Sequence, residues 1–114
     1  MDPLRVDLHQ KTAVITGAGT GIGRATALGM VRCGVRVVAS YCRSQSETEQ
    51  LVDQIIESGS EAFPVRADVT KWDDTQSLFR SAVDAFGRVD ILVENAGGNI
   101  QKTMIVNMDE QVWD

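Results

Sequence analysis

Short apolar runs alternate along the chain with longer segments whose apolar residues recur every three or four positions, and that alternation predicts parallel βαβ units. Thr12 to Thr16 (TAVIT) is β-branched and uncharged, as a buried strand should be, and Gly17 behind it opens a run of four closely spaced glycines. Ile22 to Cys33 then places Ile22, Ala25, Leu28, Gly29 and Cys33 on roughly one helical face, with Gly34 as the stop. Val35 to Ala39 predicts a second strand. Ser46 and Glu49 have the spacing of a capping box for a second helix that turns Leu51, Val52, Ile55 and Ile56 inward and closes at Ser58 and Gly59.

The third strand is expected over Ala62 to Ala67, at a sheet edge, because Pro64 has no N–H for a ladder bond. A third helix from about Lys71 to Phe86 presents Leu78, Phe79, Ala82, Val83 and Phe86 on one face, Gly87 ends it, and Asp90 to Glu94 (DILVE) begins a fourth strand. Asn107 and Glu110 are spaced as a helix cap and its third-position partner, yet only seven residues follow that cap, so this helix would barely nucleate. The chain therefore reads as a single domain over residues 1–114, cut short, with the fourth strand left as an apolar edge and the isolated chain marginally stable. The expected architecture is a doubly wound, Rossmann-type α/β sheet, incomplete, with about four parallel strands in the order 3-2-1-4 and a cleft at the switch between strands 1 and 4.

Composition narrows the chemistry. Of 114 residues, 43% are apolar and 24% charged, with two Pro and ten Gly, which is a folded chain rather than a disordered or collagen-like one. Eleven basic against sixteen acidic residues leave a net charge of −5, which speaks against a nucleic-acid partner. Cys33 and Cys42 lack C-x-x-C spacing and His9 is the only imidazole, so neither a zinc site nor a disulfide scaffold is expected. The amino terminus is broken by Asp2, Arg5 and Asp7, and no apolar run approaches a membrane span; cytoplasm is the expected setting, with no membrane partner. Trp72 and Trp113 read as packing anchors, and Asp73 and Asp74, adjacent on a helix, point apart and form no catalytic pair.

The segment Thr16-Gly17-Ala18-Gly19-Thr20-Gly21-Ile22-Gly23 lies between the first strand and the first helix, where main-chain amides and the helix dipole can hold a pyrophosphate. Gly17 permits the sharp turn, Gly21 lets a phosphate approach without a Cβ in the way, and Gly23 lets helix and sheet pack closely. The spacing G-x-x-x-G-x-G is neither G-x-G-x-x-G nor a P-loop, since no Lys-Ser or Lys-Thr pair follows. On its own the cluster also admits a tight connection without a ligand.

Three motifs stand at fitting separations: TGAGTGIG at Thr16 to Gly23, ADVT at Ala67 to Thr70 and ENAG at Glu94 to Gly97. With them the chain resembles the amino-terminal half of a short-chain dehydrogenase/reductase, over about Lys11 to Asp114, and in general likeness the 3-oxoacyl-carrier-protein reductase type. Glu94 stands where the family usually has the first Asn of Asn-Asn-Ala-Gly, adding a carboxylate near the sheet end. The resemblance implies that Gly17, Thr20, Gly21, Ile22 and Gly23 line the diphosphate. It also implies that Asp68 accepts from the adenine amino group beside the Val69 main chain, and that Asn95, Ala96 and Gly97 pass beside the ribose. Asp68 alone reads as well as a solvated turn residue, and Asn95 as well as a strand-tying amide.

An NAD-type site carries a carboxylate about twenty residues past the glycines. Here Tyr41 takes that place, within Ser40-Tyr41-Cys42-Arg43-Ser44, so Tyr41, Arg43 and Ser44 would meet a 2′-phosphate and NADP(H) is favoured over NAD(H). Arg43 as a solvated loop residue is the plainer alternative. The family's catalytic Ser, Tyr-x-x-x-Lys and helix Asn find no match: the one tyrosine, Tyr41, has Gln45 four residues on. The expected function is thus the NADP(H)-binding half of an oxidoreductase that moves hydride between a nicotinamide and a small carbonyl or alcohol. No catalytic or metal residue lies in the chain itself, and the full-length parent would be a homo-oligomer. A catalytically inactive nucleotide-binding or regulatory module, or a nonfunctional truncated product, is the alternative.

Overall fold

The computed structural model describes residues 7–95 and the strand 102–108. Along the chain run β1 (Thr12–Thr16), α1 (Gly21–Arg32), β2 (Arg36–Tyr41), α2 (Gln45–Glu57), β3 (Ala62–Arg66), α3 (Trp72–Phe86), β4 (Val89–Glu94) and β5 (Lys102–Met108). They form one sheet in the order β3-β2-β1-β4-β5. The first four are parallel, with Val14 opposite Val38 on one side and Leu92 on the other. The predicted 3-2-1-4 order is therefore present, with β3 and its Pro64 on the outer edge.

Helices cover both faces, which is why β1 is buried at all five positions and reads as a continuous apolar run. On one face Ala13, Ile15, Val37 and Ala39 pack with Ala27 of α1 and Leu51, Val52 and Ile55 of α2. On the other, Val14 and Val38 pack with Leu78, Phe79 and Ala82 of α3. The α3 stripe is the one expected, and Gly87 ends it at φ +82°, donating its N–H to Val83 O at 2.7 Å.

Four local expectations are corrected. Trp72, expected as a packing anchor, opens α3 at 72% exposure. The buried positions of α1 are Gly23 and Ala27, while Ala25 and Gly29 are exposed and Ile22 is 57% exposed. Apolar periodicity ignores size, and the helix sits so close to the sheet that its smallest residues face inward. The Ser46–Glu49 capping box does not form: α2 begins at Gln45, its cap residue Ser44 makes no side-chain cap bond, and Glu49 instead accepts from Gln45 Nε2 at 2.9 Å. Ile56 accordingly lies on the outer side, 53% exposed. Finally, Asn107 lies inside β5, which pairs antiparallel with β4, Glu94 opposite Lys102. The run Thr103 to Val106 favours extended backbone, and pairing satisfies the amide and carbonyl row that β4 would otherwise leave open; Glu110 lies outside the described residues. Among the described residues no helix is long and apolar enough to cross a membrane.

The amino-terminal ends of the strands are held by charge. Asp90, only 5% exposed, accepts the β1 main-chain N–H of Thr12 at 2.9 Å and both Nε and Nη2 of Arg88. Nearby, Arg36 Nη2 reaches Gln10 O, Thr12 Oγ1 and Phe86 O at 3.0–3.1 Å, with its guanidinium 4.9 Å from the Phe86 ring centre. Burial opposes charge on Asp90, but the Arg88 hydrogen bonds, the Thr12 N–H and the charges of Arg88 and Lys11 outweigh it and hold the carboxyl below its usual range. A pKa lower in the folded than the unfolded chain adds stability that is complete above the ordinary carboxylate range and is lost as pH falls through the folded value. Asp90→Ala should therefore cost about 2 kcal/mol at neutral pH, chiefly by stranding the buried Thr12 N–H. Urea melts should show that penalty shrinking from about pH 5 to pH 3; an undiminished penalty there would exclude the ionised carboxylate as its source.

Candidate functional site

At the opposite, carboxyl end of the sheet, the glycine turn crosses from β1 to α1. Gly17 and Gly21 adopt φ +61° and +56°, the left-handed region open to glycine. Their neighbours then make contacts that no side chain would permit. A Cβ on Gly23 would collide with Gly17 O and lie 2.7 Å from Asn95 Nδ2. Asn95 itself, at the end of β4, donates Nδ2 to Gly17 O at 3.2 Å and its main-chain N–H to Thr16 Oγ1 at 2.9 Å. The sequence left Asn95 open between a ligand contact and a strand tie; the tie is what the described residues display. Gly17, Gly23 and Asn95 are thus brought to one point.

Around Gly21 the situation is reversed: nothing stands within 4 Å of where its Cβ would be. Thr20, the extended cap residue of α1, makes no side-chain cap bond, and Ile22 is exposed beside it. One side of the turn is therefore clamped onto the sheet while the other faces open space at the amino end of a twelve-residue helix, an arrangement that fits a diphosphate.

The other predicted residues line the adjoining rim. Ala18 N–H bonds to Ser40 O at 3.2 Å, and Ala67 N–H to Tyr41 O at 2.8 Å, so the glycine turn, the end of β2 and the turn after β3 lie side by side. Tyr41 is half-buried, Arg43 exposed, and Ser44, uncommitted as a cap, half-buried. Asp68 Oδ1 accepts from Thr70 Oγ1 at 2.6 Å and Thr70 N–H at 3.0 Å, an Asx turn that leaves Oδ2 without a bond from the described residues. The Thr70 hydroxyl and then its N–H, with smaller help from the charges of Lys71 and Arg43 against partial burial, hold the Asp68 carboxyl below its usual range. Val69 is half-buried and its carbonyl takes the Thr75 hydroxyl at 3.5 Å. Ala96 and Gly97 lie outside the described residues.

Three contributions were not anticipated from the sequence. Asp74 Oδ2 accepts the Asp68 N–H at 2.8 Å and so fixes the turn from α3. The Ser40 hydroxyl is buried with no partner among the described residues. Thr48 is completely buried under the glycine turn. The last two had a legible signal, a hydroxyl where strand alternation or the Leu51–Ile55 helical stripe calls for an apolar residue.

A family profile described as short chain dehydrogenase matches residues 11–114. The chain is 45% identical over 91 residues to the short-chain dehydrogenase/reductase homolog YusS of Bacillus subtilis, covering 80% of this chain and 84% of that one. It is 38% identical over 106 residues to a 3-oxoacyl-[acyl-carrier-protein] reductase of Synechocystis, covering 93% of this chain but 42% of the reductase. Among solved structures, a hydroxysteroid dehydrogenase from Escherichia coli superposes with a TM-score of 0.76 at 40% identity, over 81% of this chain and 39% of the other. A short-chain dehydrogenase/reductase from Burkholderia phymatum, solved with NAD, gives 0.72 at 36%, over 75% and 30%. The chain thus spans less than half the length of these larger relatives.

The Gly17–Gly23–Asn95 contact makes a stability prediction. Asn95→Ala keeps the main-chain bond to Thr16 and should cost about 1 kcal/mol, whereas Gly23→Ala should cost about 2 kcal/mol or more because its Cβ meets main chain. Denaturant titrations read both; equal or negligible losses would show that the close approach is not what holds the turn.

Proposed function

The chain belongs to the short-chain dehydrogenase family, and from that premise we propose that it provides the NADP(H)-binding half of an oxidoreductase acting on a small carbonyl or alcohol. The observation that carries this reading is the turn at Gly21, clamped on one side by Gly23 and Asn95 and open on the other. Main-chain N–H groups of Thr20 to Gly23 would hold the diphosphate there, aided by the positive end of α1. Asp68, with Oδ2 uncommitted and Oδ1 fixed by Thr70, would accept from the adenine amino group beside Val69. Asn95 with Ala96 and Gly97 would pass beside the cofactor ribose. When bound, such a cofactor supplies the hydride.

The choice of NADP(H) rests on the turn after β2. No carboxylate stands at Tyr41, where one would repel a 2′-phosphate, and Arg43 is exposed on the same rim as Asp68. The Burkholderia neighbour solved with NAD supports a dinucleotide on this fold and leaves the phosphate to be decided by these local side chains. Hydride transfer to a carbonyl also needs an acid to protonate the forming alkoxide, and the 114 residues contain no Tyr-x-x-x-Lys to serve. We therefore assign binding to this chain and no turnover on its own.

A second reading has its own support: the 91 residues aligned with the Bacillus homolog make up 84% of that protein, so a short chain of this kind has a relative of similar extent. That favours a self-standing nucleotide-binding module. Calorimetric titration of the chain with NADPH and NADH should give a preference of roughly tenfold or more for NADPH, and Arg43→Ala should remove most of it. Equal affinity in the unmodified chain would overturn the NADP(H) assignment, and binding of neither would overturn the dinucleotide site.

A further inference from the structure

Thr48 occupies a place that the recognised motifs do not explain. It lies in the first turn of α2, wholly buried, and its hydroxyl donates to Ser44 O at 2.7 Å while its own N–H donates to the same carbonyl at 3.0 Å. The Ser44 carbonyl thus receives two bonds from one residue. Directly above it runs the glycine turn: a Cβ on Gly19 would overlap Thr48 Oγ1, stand 2.9 Å from Thr48 N and 3.3 Å from Ser44 O. The main chain of the diphosphate turn is therefore seated on the Thr48 hydroxyl. The same turn is tied to the end of β2 through Ala18 N–H to Ser40 O. Between those two anchors hangs the short link Cys42 to Ser44, whose Arg43 and Ser44 have no other described hydrogen bond from their side chains and are held only by where the main chain is put.

We propose that Thr48 is a positioning residue for recognition of the ribose 2′-phosphate, setting the Arg43–Ser44 link relative to the glycine turn by gripping the Ser44 carbonyl from below. The inference rests on the NADP(H) reading above and adds the residue that makes it geometrically definite. Glycine at position 19 is explained at the same time, since any larger residue would lift the turn off Thr48. A hydroxyl within the apolar Leu51–Ile55 stripe is otherwise an unneeded polar group in a buried position.

The test titrates the full chain with NADPH and with NADH, which differ only in the phosphate at issue. Thr48→Val and Thr48→Ala both remove the hydroxyl, at two sizes, and Thr48→Ser keeps it; thermal melts identify which variants are folded, and any folded one that lacks the hydroxyl decides. Expected is a loss of roughly tenfold in NADPH affinity without the hydroxyl, less than about twofold for NADH, and recovery to within about twofold in Thr48→Ser. Equal losses for both ligands, or none for either, would overturn the positioning role while leaving the dinucleotide site in place. Failure of the unmodified chain to bind either dinucleotide would instead bring down the functional reading and this inference together. Unfolding of every variant without the hydroxyl, with Thr48→Ser folded, would make the role structural and overturn the proposal as well.

Discussion

Everything at the carboxyl edge of the sheet depends on how closely α1 approaches the ends of β1 and β4. Gly23 touches the Gly17 carbonyl, Asn95 binds that same carbonyl, and neither contact leaves room for a Cβ. Helix–sheet packing through ordinary side chains would hold α1 further out and aim its amino end elsewhere. With the helix seated this low, the turn must fold back over the sheet, which brings Ala18 against Ser40 and Gly19 against Thr48. The open space at Gly21 is the complement of those contacts, because the main chain has been drawn to one side of the turn.

The two ends of the sheet treat polar groups differently. At the amino end, Asp90 is taken up by Arg88 and Thr12, and Arg36 reaches three acceptors and covers the Phe86 ring, although its buried Nε has no acceptor among the described residues. Those groups hold strands and are closed to anything else. At the carboxyl end the Ser40 hydroxyl, Asp68 Oδ2, the Ser44 hydroxyl and the Arg43 guanidinium are placed by main-chain bonds but have no described side-chain partner of their own. Buried or half-buried polar groups left in that state cost stability, so an end of the sheet that collects them is where a ligand contributes most.

The fold was legible because its signals are local: a β-branched run ending in glycine, Pro64 on an edge, a glycine at each of three helix ends, and the broad stripe on α3. The site was legible as far as its backbone chemistry went, since glycine spacing reports where side chains are forbidden. What escaped were facts created by approach distances. Periodicity cannot tell Gly23 from Ala25 as the inward residue of α1, because that choice belongs to the sheet beneath it. The Ser46–Glu49 pair had the spacing of a capping box, and Gln45 took the glutamate first. Asp74 and Thr48 matter through partners six and twenty-nine positions away in sequence, at Asp68 and Gly19; the misplaced hydroxyl marks Thr48 as unusual, but no local pattern names either partner.

The edge of β4 bears on which of the two functional readings applies. Four parallel strands ending at β4 would leave one row of amides and carbonyls facing water, next to the residue that holds the glycine turn. β5 fills that row from the chain's own later residues, antiparallel, with Val93 opposite Thr103 and Glu94 opposite Lys102 right up to the position before Asn95. A parallel strand supplied by further sequence would need the same hydrogen-bonding row, and one edge cannot serve both. The hairpin and a larger continuous sheet are therefore mutually exclusive arrangements of β4. In the first the chain closes its own edge; in the second β5 must leave before the sheet can grow. Both keep Asn95 on Gly17, because that bond is made on the β1 side of β4 and not on the side where the two arrangements differ.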